Sequence, residues 1–207
     1  MTAGERINFH FDPLCPWAWI TSRWAVRMEE LGEVEVEWRL FSLGAVHVPQ
    51  GEEVPDEPIG PSGMALQLLA QARRLEGNPG VGRLYTTMGT AAHVRRQSIA
   101  DEEVLAGAWE EAGFDPAGRE AAAADLTLWQ QVLTEHRAAV AACQAFGVPT
   151  MILDGGSGPG IFGPILTEVP SDDEGRELLR DFLRLTRRGY FFEVKRDREG
   201  HPPKTGA

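Results

Sequence analysis

Cysteine is scarce in this chain of 207 residues, which contains only Cys15 and Cys143, far apart and with no C-x-x-C pair. A structural disulfide is therefore not expected in a reducing compartment. Two cysteines and 5 scattered histidines also lack the spacing of a metal site. Basic residues are few as well, 20 against 31 acidic ones, so the net charge is −11. This balance argues against nucleic acid or an anionic membrane as the main partner, because both select for basic patches.

Long apolar runs are missing too. No segment approaches the roughly 20 residues that cross a bilayer, and the polar residues 1–6 show no apolar core of a secretory signal. The sequence is therefore interpreted as that of a cytoplasmic protein. The glycines of residues 155–163 have neither a lysine nor a nucleotide-type helix after them, so they predict no phosphate-binding loop.

The residues around Cys15 carry the strongest chemical signal. Residues 6–11 predict an apolar strand that ends at Pro13, and Pro16 directly follows the cysteine. Because proline is well tolerated in the first turn of a helix, we expect Cys15 at the N-cap of a helix that runs to about Glu30. Unpaired backbone N–H groups and the positive end of the helix dipole would stabilise a thiolate there, and the thiolate is the nucleophile. This context favours a reactive thiol over the alternative of a buried, inert cysteine.

Strand and helix signals alternate after this motif. Residues 34–41 alternate apolar and charged side chains, which predicts a half-buried strand. Together with the first strand and helix it would form a parallel, right-handed βαβ unit. Residues 44–63, rich in proline and glycine, predict a long irregular loop. A helical region follows, whose breaks at glycine and proline divide it into about four helices, over residues 63–76, 80–96, 101–112 and 117–146.

Strand signals return in the last third of the chain. Residues 150–153 and 160–163 predict a hairpin, and an acidic first turn opens a helix predicted over residues 171–188. The apolar residues 190–194 would form a short strand or pack on the body, and the proline-rich end is expected to be mobile. The helical region is therefore an insertion between two strand-forming halves.

This order of elements, with Cys15-Pro16-Trp17 at the first helix and Gly147-Val148-Pro149-Thr150 before the third strand, resembles the DsbA-like branch of the thioredoxin superfamily. The resemblance implies an α/β, thioredoxin-like (DsbA-type) domain with a helical insertion. It divides the chain into an N-terminal βαβ half, a lid loop with the helical insertion, and a C-terminal half, at residues 1–45, 46–138 and 139–207.

The same resemblance implies a cis peptide bond between Val148 and Pro149, in a turn that lies against the active cysteine. Such a bond is uncommon and usually has a specific local role. Here that role would be to present the backbone of Val148 to an extended thiol substrate. The alternative is an ordinary trans proline at the start of a strand.

Within that branch the chain is similar to the actinobacterial mycothiol-dependent nitroreductase family. The likeness rests on residues 11–17, 19–24, 42–43, 84–89 with His93, 148–150, 162–166 and 190–196. It implies a catalytic Cys15 and a substrate- or thiol-binding site formed by Pro16, Trp17, His93, Val148, Pro149 and Thr150. The implied cofactor is mycothiol, and the implied partners are this small thiol and a small-molecule or disulfide substrate. Whether the protein forms a homodimer stays open.

One position departs from the family pattern. Two-cysteine members carry Cys-Pro-Trp-Cys, whereas this chain has Ala18 at the fourth position. Without a second thiol there, a mixed disulfide cannot be resolved within the molecule, and Cys143, interpreted as helix packing, is a poor substitute. The leading prediction is therefore a monothiol oxidoreductase, in which Cys15 attacks a disulfide or another electrophile and a low-molecular-weight thiol resolves the adduct.

Two other functions stay open. The helix N-terminus would activate the thiol of a bound cofactor, with no covalent bond to Cys15, in a protein that resembles kappa-class glutathione transferases and chromene-carboxylate isomerases. Alternatively, loss of the second cysteine would leave a non-enzymatic module that binds a thiol ligand. Among other polar residues, Asp12 is expected to cap its turn, His10 would either tune Cys15 or face away, and His136 is predicted to face solvent.

Overall fold

The computed structural model describes residues 4–49 and 51–206 and has a four-stranded sheet at its centre. The strand order is β2-β1-β3-β4, with β1 parallel to β2 and with β3 antiparallel to both β1 and β4. The strands are β1 (Glu5–Phe11), β2 (Val34–Leu40), β3 (Thr150–Ile152) and β4 (Gly160–Phe162). The predicted βαβ unit and the later hairpin are thus confirmed.

The described part of the chain contains seven α-helices. Five of them, one short and four longer, lie between β2 and β3 in sequence. They are α1 (Pro16–Glu30), α2 (Leu43–Val46), α3 (Gly63–Gly89), α4 (Glu102–Glu111), α5 (Pro116–Ala123), α6 (Leu126–Cys143) and α7 (Asp172–Thr186). None of these helices is both long and apolar enough to cross a bilayer.

The predicted break within the first long stretch of the helical region is confirmed. Residues 63–76 and 80–96 were expected as two helices, and α3 consists of two helical segments separated by Glu76 and Gly77, whose backbone angles are not helical. Gly77 has φ of +64°, a conformation that glycine adopts without steric cost. The second segment continues into a π-helical turn over Thr90–Val94.

The predicted strand or packed segment at residues 190–194 is wrong. Tyr190, Phe192 and Val194 are 79%, 81% and 82% exposed, and the segment joins no strand of the sheet. The chain is attached further along, where the backbone N–H of Lys204 donates to the carbonyl of Thr167 at 2.7 Å. That attachment holds the end of the chain on the body and leaves the apolar residues before it in solvent.

Alternation along β1 divides the sheet into two faces. Phe9 and Phe11 point to the side of α1 and α3, where Phe11 stacks on Tyr85 with 3.9 Å between ring centroids. His10, between them, points to the other side and is only 3% exposed. The charge of His136 on α6 is near enough to affect the pKa of His10. His10 is therefore turned away from the α1 side of the sheet.

His136 is buried, so its predicted solvent exposure is wrong. It is 8% exposed, because α6 packs on the sheet and brings the His136 ring to 4.2 Å from that of Phe41. Burial lowers the pKa of both His10 and His136 to about 4. Within the described residues, Nδ1 of each ring has no hydrogen-bond partner. Both imidazoles are therefore packed in their neutral form.

The two histidines predict a loss of stability in mild acid. Their folded pKa lies below the unfolded value of about 6.5, so their contribution is complete above about pH 6.5 and is lost as the pH falls towards about 4. For His10 alone the shift corresponds to roughly 3 kcal/mol. Urea unfolding across this pH range should show a smaller acid-dependent loss for His136→Leu than for the wild type. The exposed His201→Leu is the control, and an equal loss in all three proteins would contradict this account.

Close contact between α1 and α3 gives a second prediction. A Cβ on Gly89 would clash with the ring of Trp19, whereas a Cβ on Gly107 in α4 meets no atom within 4 Å. Gly89→Ala should therefore lower the free energy of unfolding by about 1–3 kcal/mol, as overpacking does. Gly107→Ala should be neutral or stabilise by up to about 1 kcal/mol. Urea unfolding of both variants tests the pair, and equal effects would contradict the contact.

Candidate active site

Cys15 is the N-cap residue of α1, and Pro16 begins the helix, so the predicted placement is confirmed. The backbone N–H of Ala18 donates to the sulfur of Cys15 at 3.4 Å. On its other side the Cys15 thiol donates to the carbonyl of Val148, with 3.5 Å between Sγ and the oxygen. The cysteine and the Val148–Pro149 turn, 133 residues apart in sequence, therefore face each other.

The Val148–Pro149 peptide bond is cis. Hydrogen bonds fix this turn at both ends: the hydroxyl of Thr150 donates to the carbonyl of Gly147 at 2.8 Å, and the N–H of Gly163 donates to the carbonyl of Pro149 at 2.8 Å. Pairing with β1 and β4 begins only at Thr150. The carbonyl of Val148 therefore lies ahead of the paired residues and faces the cysteine.

Asp12 holds the loop that leads into Cys15. Its carboxylate is fully buried and accepts hydrogen bonds from the N–H of Leu14 at 3.0 Å, the N–H of Leu43 at 2.9 Å and the hydroxyl of Ser62 at 2.8 Å. The expected turn-capping role is thus confirmed for Leu14. The bonds to Leu43 and Ser62 add a link to the start of α2 and to the start of α3, which no local pattern indicated.

His93 holds the same loop from the side of the helical insertion. It lies in the π-helical turn after α3, and its Nε2–H donates to the carbonyl of Pro13 at 2.8 Å. Its ring also stacks on Trp19, with 5.7 Å between centroids. Burial lowers the pKa of His93, so the ring is neutral at physiological pH. These contacts position the Cys15 loop, and a role for His93 in ligand binding stays a prediction.

Electrostatics around the thiol oppose the prediction of a stabilised thiolate. Burial raises the pKa of Cys15, which is 8% exposed, and the charge of Asp12 raises it further. The backbone N–H groups of Ala18 and Trp17 and the charge of Arg198 lower this pKa, but burial outweighs them. The thiol's hydrogen bond to Val148 also favours the neutral form, since only the neutral form can donate it. The predicted shift to a low pKa is therefore wrong, although the predicted helix geometry is right.

The rim of the site contains residues that the sequence did not indicate. The guanidinium of Arg198 lies over the ring of half-buried Trp17, 4.9 Å from its centroid. Phe146 is 64% exposed and packs against Phe162 beside the Val148–Pro149 turn. The position of Phe146 directly before the Gly147 motif was an available signal for it. No sequence pattern marked Arg198.

Cys143 lies away from the chemistry of α1, as the last residue of α6. Its thiol is half-buried, donates to the carbonyl of Ala139 and packs tightly on Gly160. Across residues 4–49 and 51–206, no group of three or more His, Cys, Asp or Glu side chains is arranged to hold a metal ion. The chemistry that the site itself offers is therefore that of one thiol, Cys15.

A mixed four-stranded sheet, an N-cap cysteine on the first helix and a cis-proline turn opposite it define a thioredoxin-like α/β protein of the DsbA type. Solved structures agree with this class. The cytosolic disulfide reductase DsbM of Pseudomonas aeruginosa, also solved with GSH, matches with a TM-score of 0.58 and 20% identity over 87% of this chain and 99% of that one. A 2-hydroxychromene-2-carboxylate isomerase matches with a TM-score of 0.62 and 16% identity over 88% of this chain and 96% of that one. At such identities the likeness shows the fold, and it confirms the predicted class.

Sequence comparison gives the particular family. The family described as "Rv2466c-like: Mycothiol-dependent nitroreductase Rv2466c" matches residues 14–196. The uncharacterised protein Rv2286c of Mycobacterium tuberculosis is 32% identical over 165 residues, which cover 80% of this chain and 70% of that protein. The chain therefore belongs to the Rv2466c-like family, as its motifs predicted, and is an enzyme of the thiol-dependent oxidoreductase type.

The balance of charges around Cys15 predicts a thiol that titrates late. The ultraviolet absorbance of the thiolate, followed against pH, should give a midpoint above the ~8.5 of free cysteine, because burial and Asp12 disfavour the anion. Subtracting the titration of Cys15→Ser removes the signal of Cys143 and of the tyrosines. A midpoint below about 7, the range of activated cysteines, would contradict this electrostatic account.

Proposed function

We propose that the protein is a monothiol oxidoreductase that uses Cys15 as its nucleophile and mycothiol as the reducing thiol. One observation carries the proposal: the sulfur of Cys15 sits between the N–H of Ala18 and the carbonyl of Val148, and residue 18 offers no second thiol. The substrate would be a disulfide or an electrophile such as a nitroaromatic compound.

The residues around the sulfur fit a small thiol ligand. The carbonyl of Val148 lies ahead of the sheet pairing and faces Cys15, so it would be the acceptor for an extended ligand that reaches the sulfur. Half-buried Trp17, two residues after the cysteine, adds an aromatic surface next to it. The description of the family and the GSH in a DsbM structure support a small thiol as the partner.

In the proposed reaction Cys15 first loses its proton. The N–H groups of Ala18 and Trp17 hold the negative charge on the sulfur, and Asp12 and His93 keep its loop in place. The thiolate attacks one sulfur of a disulfide substrate, so that a bond to Cys15 forms, the substrate S–S bond breaks and the other sulfur leaves as a thiolate. Mycothiol supplies the second thiol, which returns Cys15 to its reduced form. With a nitro compound, Cys15 and one mycothiol would be oxidised to a mixed disulfide while the nitro group becomes a nitroso group and water is released. A second mycothiol would then reduce that disulfide and return Cys15 to its thiol form.

A second candidate is a transferase or isomerase that binds a thiol cofactor without forming a bond to Cys15. The raised pKa of Cys15 favours it, because a protonated thiol at a helix N-terminus would donate a hydrogen bond to a bound thiolate, as a hydroxyl does. In that case the chemistry would need only a donor at residue 15, and serine would serve.

An activity assay with Cys15→Ser separates the candidates. Mycothiol-dependent reduction of a nitroaromatic compound and of a small disulfide should fall at least about a hundredfold, because the nucleophile is lost. The matched variant Cys143→Ser should keep its activity. Activity retained in Cys15→Ser would favour the cofactor-thiol candidate and contradict a covalent role of Cys15. Binding of mycothiol with no turnover in any variant would favour a thiol-ligand binding module.

Ala18→Cys tests the monothiol step without mycothiol. After reaction with hydroxyethyl disulfide, mass spectrometry of the wild type should show one hydroxyethylthio group retained on Cys15. The variant supplies an internal thiol next to that sulfur, which should displace the group and leave an intramolecular disulfide. Equal retention of the group in both proteins would contradict the proposal that the missing thiol at residue 18 determines the mechanism.

A further inference from the structure

The end of the chain contacts the candidate active site through Arg198, whose guanidinium lies over Trp17. Residues 195–204, called the strap below, return to the body after the exposed segment 190–194. The N–H of Lys204 donates to the carbonyl of Thr167 at 2.7 Å, and the ammonium of Lys204 pairs with the carboxylate of Glu168. The strap is therefore fixed at its end to the segment between β4 and α7.

Arg198 is the strap residue that contacts the first turn of α1. Its guanidinium covers Trp17, two residues after the cysteine, at 4.9 Å from the ring centroid. The carboxylate of neighbouring Asp197 accepts the N–H of Glu199 at 3.0 Å, and Arg198 forms no ion pair within the described residues. Its positive charge is near enough to lower the pKa of Cys15.

A groove runs beneath the strap and shares Arg198 with the cysteine site. Its volume is about 250 Å³. Its lining combines an apolar floor with side chains of both charges, namely Ile165, Leu166, Thr167, Glu168, Pro170, Leu178, Arg196, Asp197, Arg198 and His201. Arg198 is therefore the residue that the groove and the first turn of α1 have in common.

We propose that Arg198 is a positioning residue that selects negatively charged ligands for Cys15, small thiolates among them, and that the Lys204–Glu168 pair keeps it in place. The proposal deepens the proposed function, since it assumes that Cys15 is the reacting group, but it does not depend on which thiol reduces the enzyme. A positive charge beside a partly enclosed site raises the encounter rate of anions over that of neutral molecules of equal size. Stacking on Trp17 also holds the guanidinium in a defined orientation.

Alkylation of Cys15 by two reagents measures this selectivity. Iodoacetate is an anion and iodoacetamide is neutral, and both react with the same thiolate by forming an S–C bond and releasing iodide. The ratio of their rate constants therefore cancels any change in the pKa of Cys15. Mass spectrometry of the Cys15 peptide keeps Cys143 out of the measurement.

Arg198→Gln should lower the iodoacetate to iodoacetamide ratio about tenfold relative to the wild type. Arg198→Lys should keep most of the ratio, because the charge is conserved. Arg180→Gln, which removes an exposed arginine on α7, should leave it unchanged, and added salt should reduce the wild-type ratio towards that of Arg198→Gln. A ratio that is equal in Arg198→Gln and the wild type would overturn the proposal, even if the two rate constants had both changed by the same factor.

The anchor of the strap is tested by a charge exchange. Lys204→Glu places two carboxylates against each other and should lower the ratio part of the way towards that of Arg198→Gln, because the ion pair is lost while the backbone hydrogen bond to Thr167 stays. Adding Glu168→Lys to that variant restores an opposite-charge pair and should restore the ratio. A ratio that Lys204→Glu leaves unchanged would contradict the role of the anchor. Failure of mycothiol-dependent turnover would count against the proposed function while leaving this ratio as it is.

Discussion

The buried carboxylate of Asp12 is the interaction on which the active site depends. It receives hydrogen bonds from three separate parts of the chain, at Leu14, Leu43 and Ser62. Leaving a buried carboxylate without these donors would cost several kcal/mol, so the Cys15 loop, the start of α2 and the start of α3 are held together. The same carboxylate raises the pKa of Cys15. The group that fixes the position of the sulfur therefore opposes its ionisation.

This opposition explains why the surroundings of the sulfur contain both kinds of partner. The N–H groups of Ala18 and Trp17 favour the thiolate, whereas burial, Asp12 and the carbonyl of Val148 favour the thiol. Susceptibility to oxidation follows thiolate character and exposure, so a protonated and enclosed Cys15 is protected at rest. In the proposed mechanism, a ligand that pairs with Val148 would remove the acceptor of the thiol proton and so favour the thiolate. Arg198 would act in the same direction from the strap.

Local chemistry explains which features could be predicted from the sequence. Pro16 after Cys15 determines an N-cap within one turn of helix, and the alternation in residues 34–41 determines the inner face of β2. The pKa of Cys15, the burial of His136 and the position of Arg198 depend on contacts with distant parts of the chain, and no local pattern records them. The segment 190–194 shows the same limit: its apolar residues predicted a strand, but the attachment of the chain at Lys204 decides where it lies.

Ala18 shows how one substitution separates two tasks of the same helix turn. Its backbone N–H still donates to the sulfur of Cys15, so the helix terminus keeps its effect on the thiolate whatever side chain residue 18 carries. A resolving thiol, in contrast, requires a sulfur at that side chain, and the methyl group of fully buried Ala18 supplies none. In the proposed reaction the second thiol must therefore arrive from solvent, past Trp17 and Arg198. An internal cysteine would act as the resolving thiol because of its position. In its absence, the charge and shape of that opening determine which small thiol resolves the adduct.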